Sequence, residues 1–180
     1  MTAEEKVFTA IIDTPLGTIQ AAADDKGLRG LWFTGQKYFP SDTKAWLNEP
    51  DHLVFVSLKE WLKDYFASKK PKTLVPLAPA GSDFRQAVWK ELLKIPYGKT
   101  TTYGAIASLL VSAGRKAAAQ AVGGAVGHNP ISILIPCHRV LGADGSLTGY
   151  AGGLEKKRAL LELEGINPAG FPEARHRQDL

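Results

Sequence analysis

The chain has a single cysteine, Cys137. That excludes an internal disulfide and any metal site assembled from several thiolates. It also points to a reducing, cytoplasmic setting in which a lone thiol stays usable. Long hydrophobic runs are missing: none approaches the ~20 residues that span a bilayer, so no membrane partner is expected. The first residues, Met1-Thr2-Ala3-Glu4-Glu5-Lys6, lack the basic start and apolar core of a signal peptide. Metal-ligand spacings do not repeat; Asp13, Asp24, Asp25 and His52 read as turn, cap and surface residues. No metal and no cofactor are expected.

Acidic charge is scarce in one stretch. Between Phe84 and Arg139 stand seven basic residues (Arg85, Lys90, Lys94, Lys99, Arg115, Lys116, Arg139) against Glu91 alone. Residues 1–80 balance 10 basic against 10 acidic residues, so the net charge of +4 belongs to the remainder. A field of one sign over one segment suits a polyanion, or is simply a solvated basic face.

The length allows one or two small domains with real cores. The first part reads as a β-meander: Val7 to Ile12, Thr18 to Ala23 and Leu28 to Phe33, joined by turns at Asp13–Gly17 and Asp24–Gly27. Residues 34–51 are polar and irregular. Val54, Leu58, Trp61 and Tyr65 then make one apolar stripe of a helix. Pro71, Pro76 and Pro79 stiffen a connector and place a boundary near residue 80. The expected domains are 1–80 and 81–166, with a disordered tail at 167–180.

Asp83 and Gln86 form a capping-box pattern at a helix start. Pro96-Tyr97-Gly98 ends that helix, and Thr101 or Thr102 caps the next. A third helix is expected from about Lys116 to Val126. Helix, turn, helix with flanking basic residues reads as a helix-turn-helix or as a plain helical bundle. The third helix is almost bare of bulk: Ala117, Ala118, Ala119, Ala121, Gly123, Gly124 and Ala125. A helix with ordinary side chains is about 10–12 Å across and the minor groove only ~6 Å wide. A slim helix therefore needs less groove widening, and it also permits close packing on a core.

The apolar run Ile133-Leu134-Ile135 predicts a short buried strand leading to Pro136-Cys137-His138-Arg139-Val140. Pro136 bends the chain there. The imidazole and guanidinium beside the thiol favour thiolate. A lone cysteine can also be inert core, and a Cys–His pair can serve a hydrolase; nothing in the sequence marks the oxyanion hole that a hydrolase needs.

Pro-Cys-His-Arg-Val after an apolar run resembles the active-site motif of the O6-alkylguanine-DNA alkyltransferases, and the similarity extends from about Ser82 to Gly165. The resemblance implies a two-domain α/β protein. Its N-terminal domain would be a ribonuclease-H-like β-meander with a helix. Its C-terminal domain would be helical, with a helix-turn-helix and a short strand leading to the cysteine. It implies a monomer without cofactor or obligate protein partner that binds double-stranded DNA, flips O6-alkylguanine and moves the alkyl group irreversibly onto Cys137. His138 would be the base, acting through a water, and Glu164 would orient it. On spacing alone Glu162 is as good a candidate; the family's Glu-Gly helix end selects Glu164.

By the same resemblance, Tyr103 crowds the phosphate behind the target and donates a proton to the leaving guanine. Asn129 is the hinge before the cysteine. Val140, Tyr150 and Ala151 line the base pocket: the Val140 carbonyl takes the exocyclic amine, and the Tyr150 ring stacks. Thr102, Arg115, Lys116, Ala119, Gln120 and Gly123 face DNA. Two positions depart from the family pattern. Gln120 stands where arginine usually fills the hole left by the flipped nucleotide. Ala151 stands where many members carry serine. Lys156, Lys157 and Arg158 read as phosphate contacts or solvated charges. The competing readings are a lesion-binding module without transfer, a Cys–His hydrolase and a sequence-specific regulator.

Overall fold

The computed structural model describes residues 4–167 and Gly170. The described residues divide into two compact units: 4–81 with 130–132, and 82–129 with the described residues from 133 onward.

The first unit is built on an antiparallel meander, β1 (Phe8–Thr14), β2 (Gly17–Asp24) and β3 (Gly27–Phe33). A two-residue strand, β4 (Leu47–Asn48), pairs in parallel with β1, inside the stretch expected to be irregular. The order is β3-β2-β1-β4. Gly27 can take its φ of +146° where the Pro76 carbonyl leaves no room for a Cβ. Helix α1 (Leu53–Phe66) buries Val54, Phe55, Leu58, Leu62 and Tyr65. Trp61, expected on that stripe, is half-buried there and stacks its ring on Tyr65 at 5.1 Å.

The free edge of β3 is covered from two places. Leu28 exchanges backbone hydrogen bonds with Pro76 and Ala78, and Leu31 with Pro130 and Ser132, at 2.7–3.0 Å. Residues 130–132 thus belong to the first unit, so residues 81–166 are not one uninterrupted domain.

The second unit is helical. Helix α2 (Asp83–Leu93) is capped by Ser82, whose hydroxyl accepts from the Arg85 N–H; the cap lies one residue before the expected Asp83. Thr102 caps α3 (Tyr103–Ser112) by accepting from the Ala105 N–H. Helix α4 (Ala119–Gly127) starts later than expected, because Ala118 is still extended and no side chain caps the helix. The Trp89 indole donates to the Ala125 carbonyl at 2.9 Å and holds α4 to α2. Helix α5 (Leu154–Leu163) closes the unit, with Ile166 packed on Leu141, Leu147 and Leu161. Nearly all of the tail expected to be disordered lies outside the described residues.

The strand expected at 133–135 is absent. Those residues form turns, with Ile133 at φ +71°, a conformation a β-branched residue adopts only when its surroundings impose it. The short strand comes after the cysteine instead: β6 (Val140–Leu141) pairs in parallel with β5 (Thr101–Thr102). That two-residue ladder sets the start of α3 beside the end of the cysteine segment.

Candidate active site

Cys137 opens a single 3-10 turn, Cys137–Arg139, immediately after Pro136. All three residues of the turn are buried. A strand would have sent Cys137 and His138 to opposite faces; the tight turn does not. The Asn129 amide donates to the Ile135 carbonyl at 2.7 Å and also hydrogen-bonds the thiol, bracketing the bend from the end of α4.

Glu164, at the C-cap of α5, gathers three donors. Its Oε2 lies 2.5 Å from His138 Nε2. Its Oε1 accepts from Arg139 Nε at 2.7 Å and from the Gly98 N–H at 2.9 Å. Arg139 also donates to the Ile95 carbonyl at 2.7 Å and lies over the Tyr97 ring. Glu162, equally placed by spacing, is exposed. Gly98, at φ +75°, has only 3.2 Å between an added Cβ and the Glu164 carbonyl, so the approach of its N–H to the carboxylate depends on glycine.

Burial pushes the His138 imidazole below its ordinary value, against the pull of Glu164, so it rests neutral. Burial alone would raise the Glu164 carboxyl. The hydrogen bond of His138, its charge once it is protonated in acid, the Arg139 guanidinium and the Gly98 N–H outweigh it and bring it down to about 2. Burial pushes the Cys137 thiol up; the Asn129 amide, the charge of Lys157 and nearby backbone N–H groups pull the other way without overcoming it. The expectation that Arg139 favours thiolate therefore fails: its guanidinium is committed to Glu164. The thiol rests protonated, beside an ionised carboxylate and a neutral imidazole able to take a proton.

Tyr103, the first residue of α3, donates to the Thr148 carbonyl at 3.3 Å. Burial raises its phenol, with the Thr148 contact opposing, so it remains a proton donor. Tyr150 and Ala151 lie half-buried in the loop before α5. The Val140 carbonyl already accepts a hydrogen bond at 2.6 Å, from Lys157.

Lys157 is the largest departure from the sequence reading. Expected at phosphates or in solvent, it has no exposed surface and donates to three carbonyls, those of Val140, Thr148 and Gly149. A signal for it existed: Lys157, Leu160, Leu161 and Glu164 recur at i, i+3, i+4 and i+7, the spacing of one helix face. Read as a stripe, it puts both charged residues on the buried side.

Arg115, Lys116, Ala119 and Gln120 are exposed in the α3–α4 turn and on the first turn of α4; Gly123 and Thr102 are half-buried. Gly123 stands against the Tyr103 ring, at 3.8 Å from an added Cβ. In the first unit Glu5, Asp24 and Asp25 come close together. Two of these carboxylates are engaged by cations, Glu5 by Lys26 and Arg29, and Asp24 by Arg29.

Comparison with known proteins gives a consistent picture. Residues 83–166 match the model of the 6-O-methylguanine DNA methyltransferase DNA binding domain, and residues 7–79 that family's ribonuclease-like domain. A methylated-DNA–protein-cysteine methyltransferase of Mycobacterium bovis is 49% identical over 85% of this chain and 89% of its own length. The solved O6-methylguanine methyltransferase of Mycobacterium tuberculosis is 47% identical, covering 88% of this chain and 92% of that one, with a TM-score of 0.77. A structure of the Mycobacterium tuberculosis OGT in complex with DNA superposes with a TM-score of 0.78 at 43% identity, covering 92% and 95% of the two chains.

Proposed function

Because the chain belongs to the 6-O-methylguanine DNA methyltransferase family, we propose that it is a methylated-DNA–protein-cysteine methyltransferase that repairs O6-alkylguanine by moving the alkyl group onto Cys137. The observation that carries this reading is the buried Cys137–His138–Glu164 cluster on a 3-10 turn.

The chemistry follows from the resting charges. His138, neutral and held by Glu164, takes the thiol proton through a water. The thiolate attacks the alkyl carbon in line with the departing oxygen. A carbon–sulfur bond forms, the carbon–oxygen bond breaks, and its electron pair goes to O6. The guanine takes a proton from Tyr103, and the phenol recovers one from the imidazolium through water. The Glu164 carboxylate makes the imidazolium less costly to form in a buried site. The product is a thioether that neutral water does not cleave, so each molecule acts once.

A base within a duplex is out of reach of a buried sulfur, so the target nucleotide is extruded. Helix α4 fits that task by its slimness. The exposed Arg115 and Lys116 supply the sequence-independent attraction to phosphates. Gln120 fills the vacated place in the stack through its amide, with a shorter reach than arginine. Tyr150 stacks on the base. Ala151 leaves out one hydroxyl contact to O6, about 1 kcal/mol of recognition. Every group in the scheme comes from one chain, so the proposed reaction needs no second copy. No helix among the described residues is long and apolar enough to cross a membrane, and the reduced thiol suits the cytoplasm.

Intact mass spectrometry after incubation with duplex DNA containing O6-methylguanine tests the reading. A gain of one methylene, localised to Cys137 and absent in Cys137→Ser, is expected, at one equivalent per molecule. Binding without mass gain indicates a lesion-binding module, and many equivalents cleared per molecule indicate a hydrolase-like cycle.

A further inference from the structure

The short segment between α2 and β5 meets the reactive cluster at four points. The Ile95 carbonyl accepts from Arg139 at 2.7 Å. The Gly98 N–H donates to Glu164 Oε1 at 2.9 Å. Between them stands Tyr97, to which the mechanism above gives no task. Its hydroxyl donates to the Leu163 carbonyl at 3.3 Å, one of those that a helix end leaves without an intrahelical partner. Its ring faces the Arg139 guanidinium, whose Cζ is 5.8 Å from the centroid, within reach of a cation–ring attraction. One side chain therefore holds both Arg139 and the residue before Glu164. Burial and the charge of Glu164 push the phenol up, with Arg139 opposing, so it stays a donor. The place of that ring matters because of where the cluster meets water. The His138 and Glu164 side chains have no exposed surface, whereas the Arg139 side chain keeps 11% of its own. The chain of bonds from His138 through Glu164 to Arg139 thus runs outward and reaches solvent at the guanidinium.

We propose that Tyr97 is a positioning residue for alkyl transfer: its ring seals the outer end of the His138–Glu164–Arg139 chain, and its hydroxyl pins that ring to the end of α5. This rests on the reading of Cys137 as the nucleophile and His138 as its base. Tyr97 acts through Arg139. One Glu164 oxygen is held by Arg139 Nε and the Gly98 N–H, and the other by His138 Nε2. A carboxylate gripped in this way steadies an imidazolium strongly only while water is kept from competing for its charge. With the ring in place, the guanidinium keeps its donors on Glu164 and the Ile95 carbonyl. Without the ring, water reaches the guanidinium, the pair loosens, and the carboxylate holds the imidazole less firmly. Gly98, at φ +75°, turns the chain directly after the ring, and its N–H comes back to the same carboxylate.

The test compares wild type, Tyr97→Phe and Tyr97→Leu, with methylated Cys137 followed by mass against time. The first substitution keeps the ring and removes the hydroxyl; the second removes the ring face and keeps apolar bulk. On saturating O6-methylguanine duplex, Tyr97→Leu should react about tenfold more slowly with an unchanged Kd for DNA. Tyr97→Phe should stay within about threefold of wild type. Free O6-methylguanine base carries no phosphates, so salt acts there on the protein alone. Added NaCl should leave wild type and Tyr97→Phe unaffected and slow Tyr97→Leu further, because salt screens an ion pair once it is open to solvent. Partial unfolding would lower the reacting fraction but not the rate constant or salt response of folded molecules. A folded Tyr97→Leu protein with the wild-type rate at every salt concentration overturns the proposal. So does a Tyr97→Phe protein that loses as much as Tyr97→Leu, since the ring would then not be the seal. If Tyr97→Leu does not fold, the wild-type salt series on the free base decides: a flat series supports the seal, and a steep fall shows a cluster already open to water and overturns it. Wild-type protein that takes up no methyl from DNA sinks the functional reading and this proposal together. Wild-type uptake with an indifferent Tyr97→Leu sinks the proposal alone.

Discussion

The two units bury different things. Among the described residues of the first, the buried side chains are almost all apolar, with Phe33, Phe55, Leu58 and Tyr65 at the centre; Asp24 is the buried charge, paired to Arg29 at 3.2 Å. The second buries His138, Arg139, Lys157 and Glu164 together. An apolar interior stabilises by removing surface from water. A buried ionic cluster does so weakly, because desolvation consumes most of the Coulomb gain. The first unit therefore spends its interior on stability and the second spends much of its own on chemistry.

Four changes sharpen or break that contrast. The largest effect is expected from Glu164→Gln, which keeps the shape but removes the charge that steadies His138. Single-turnover transfer should drop by about 10²- to 10⁴-fold, measured as methylated Cys137 against time. An unchanged rate would reduce the cluster to a structural feature. Second, Leu58→Ala in α1 should cost about 2–5 kcal/mol in urea unfolding yet leave the transfer rate of folded molecules as it was. A loss of rate at full folding would mean that the first unit shares in the chemistry.

Third, stability should fall on the acid side in two stages. His138 lies below its ordinary 6.5 when folded, so the unfolded chain binds that proton first and stability declines as the pH drops through that value. Glu164, depressed from 4.5 to about 2, contributes stability that is complete above 4.5 and lost as the pH falls toward 2. Urea midpoints measured across that range should lose the lower stage in Glu164→Gln and keep it in Leu58→Ala. The smallest effect is expected from Gln120→Arg: a several-fold gain on duplex DNA and less on free O6-methylguanine base. Equal gains on both would remove Gln120 from the extrusion step.

Local pattern was enough for much of this molecule. The meander, α1 and the start of α3 follow from alternation, helical stripes and caps, all of which act over a few residues. For the site, local pattern left alternatives open: it was the resemblance to the alkyltransferases that marked Pro-Cys-His-Arg-Val as the reactive turn and separated Glu164 from Glu162. Two features escaped for reasons of distance. Ile133-Leu134-Ile135 has strand composition, but Pro130 and Ser132 bond Leu31, a hundred residues away, and the chain must then turn sharply through Ile133. That demand overrides β-propensity, which is in any case a weak preference. Lys157 is hidden from any reading by residue type, which puts lysine at the surface, while its place on the α5 stripe puts it inside. The carbonyls that hold it come from residues 140–149, whose convergence no short window displays.

The cover on the outer edge of β3 has a practical corollary for anyone dissecting the protein. A fragment cut at Gly81 looks like a self-sufficient unit but leaves out Pro130–Ser132, and with them the partners of the Leu31 amide and carbonyl. It would present an open template to which a second fragment can add its own backbone, the usual beginning of aggregation in truncated sheet proteins. Grafting a short peptide copied from residues 129–133 onto the end of that fragment should restore solubility.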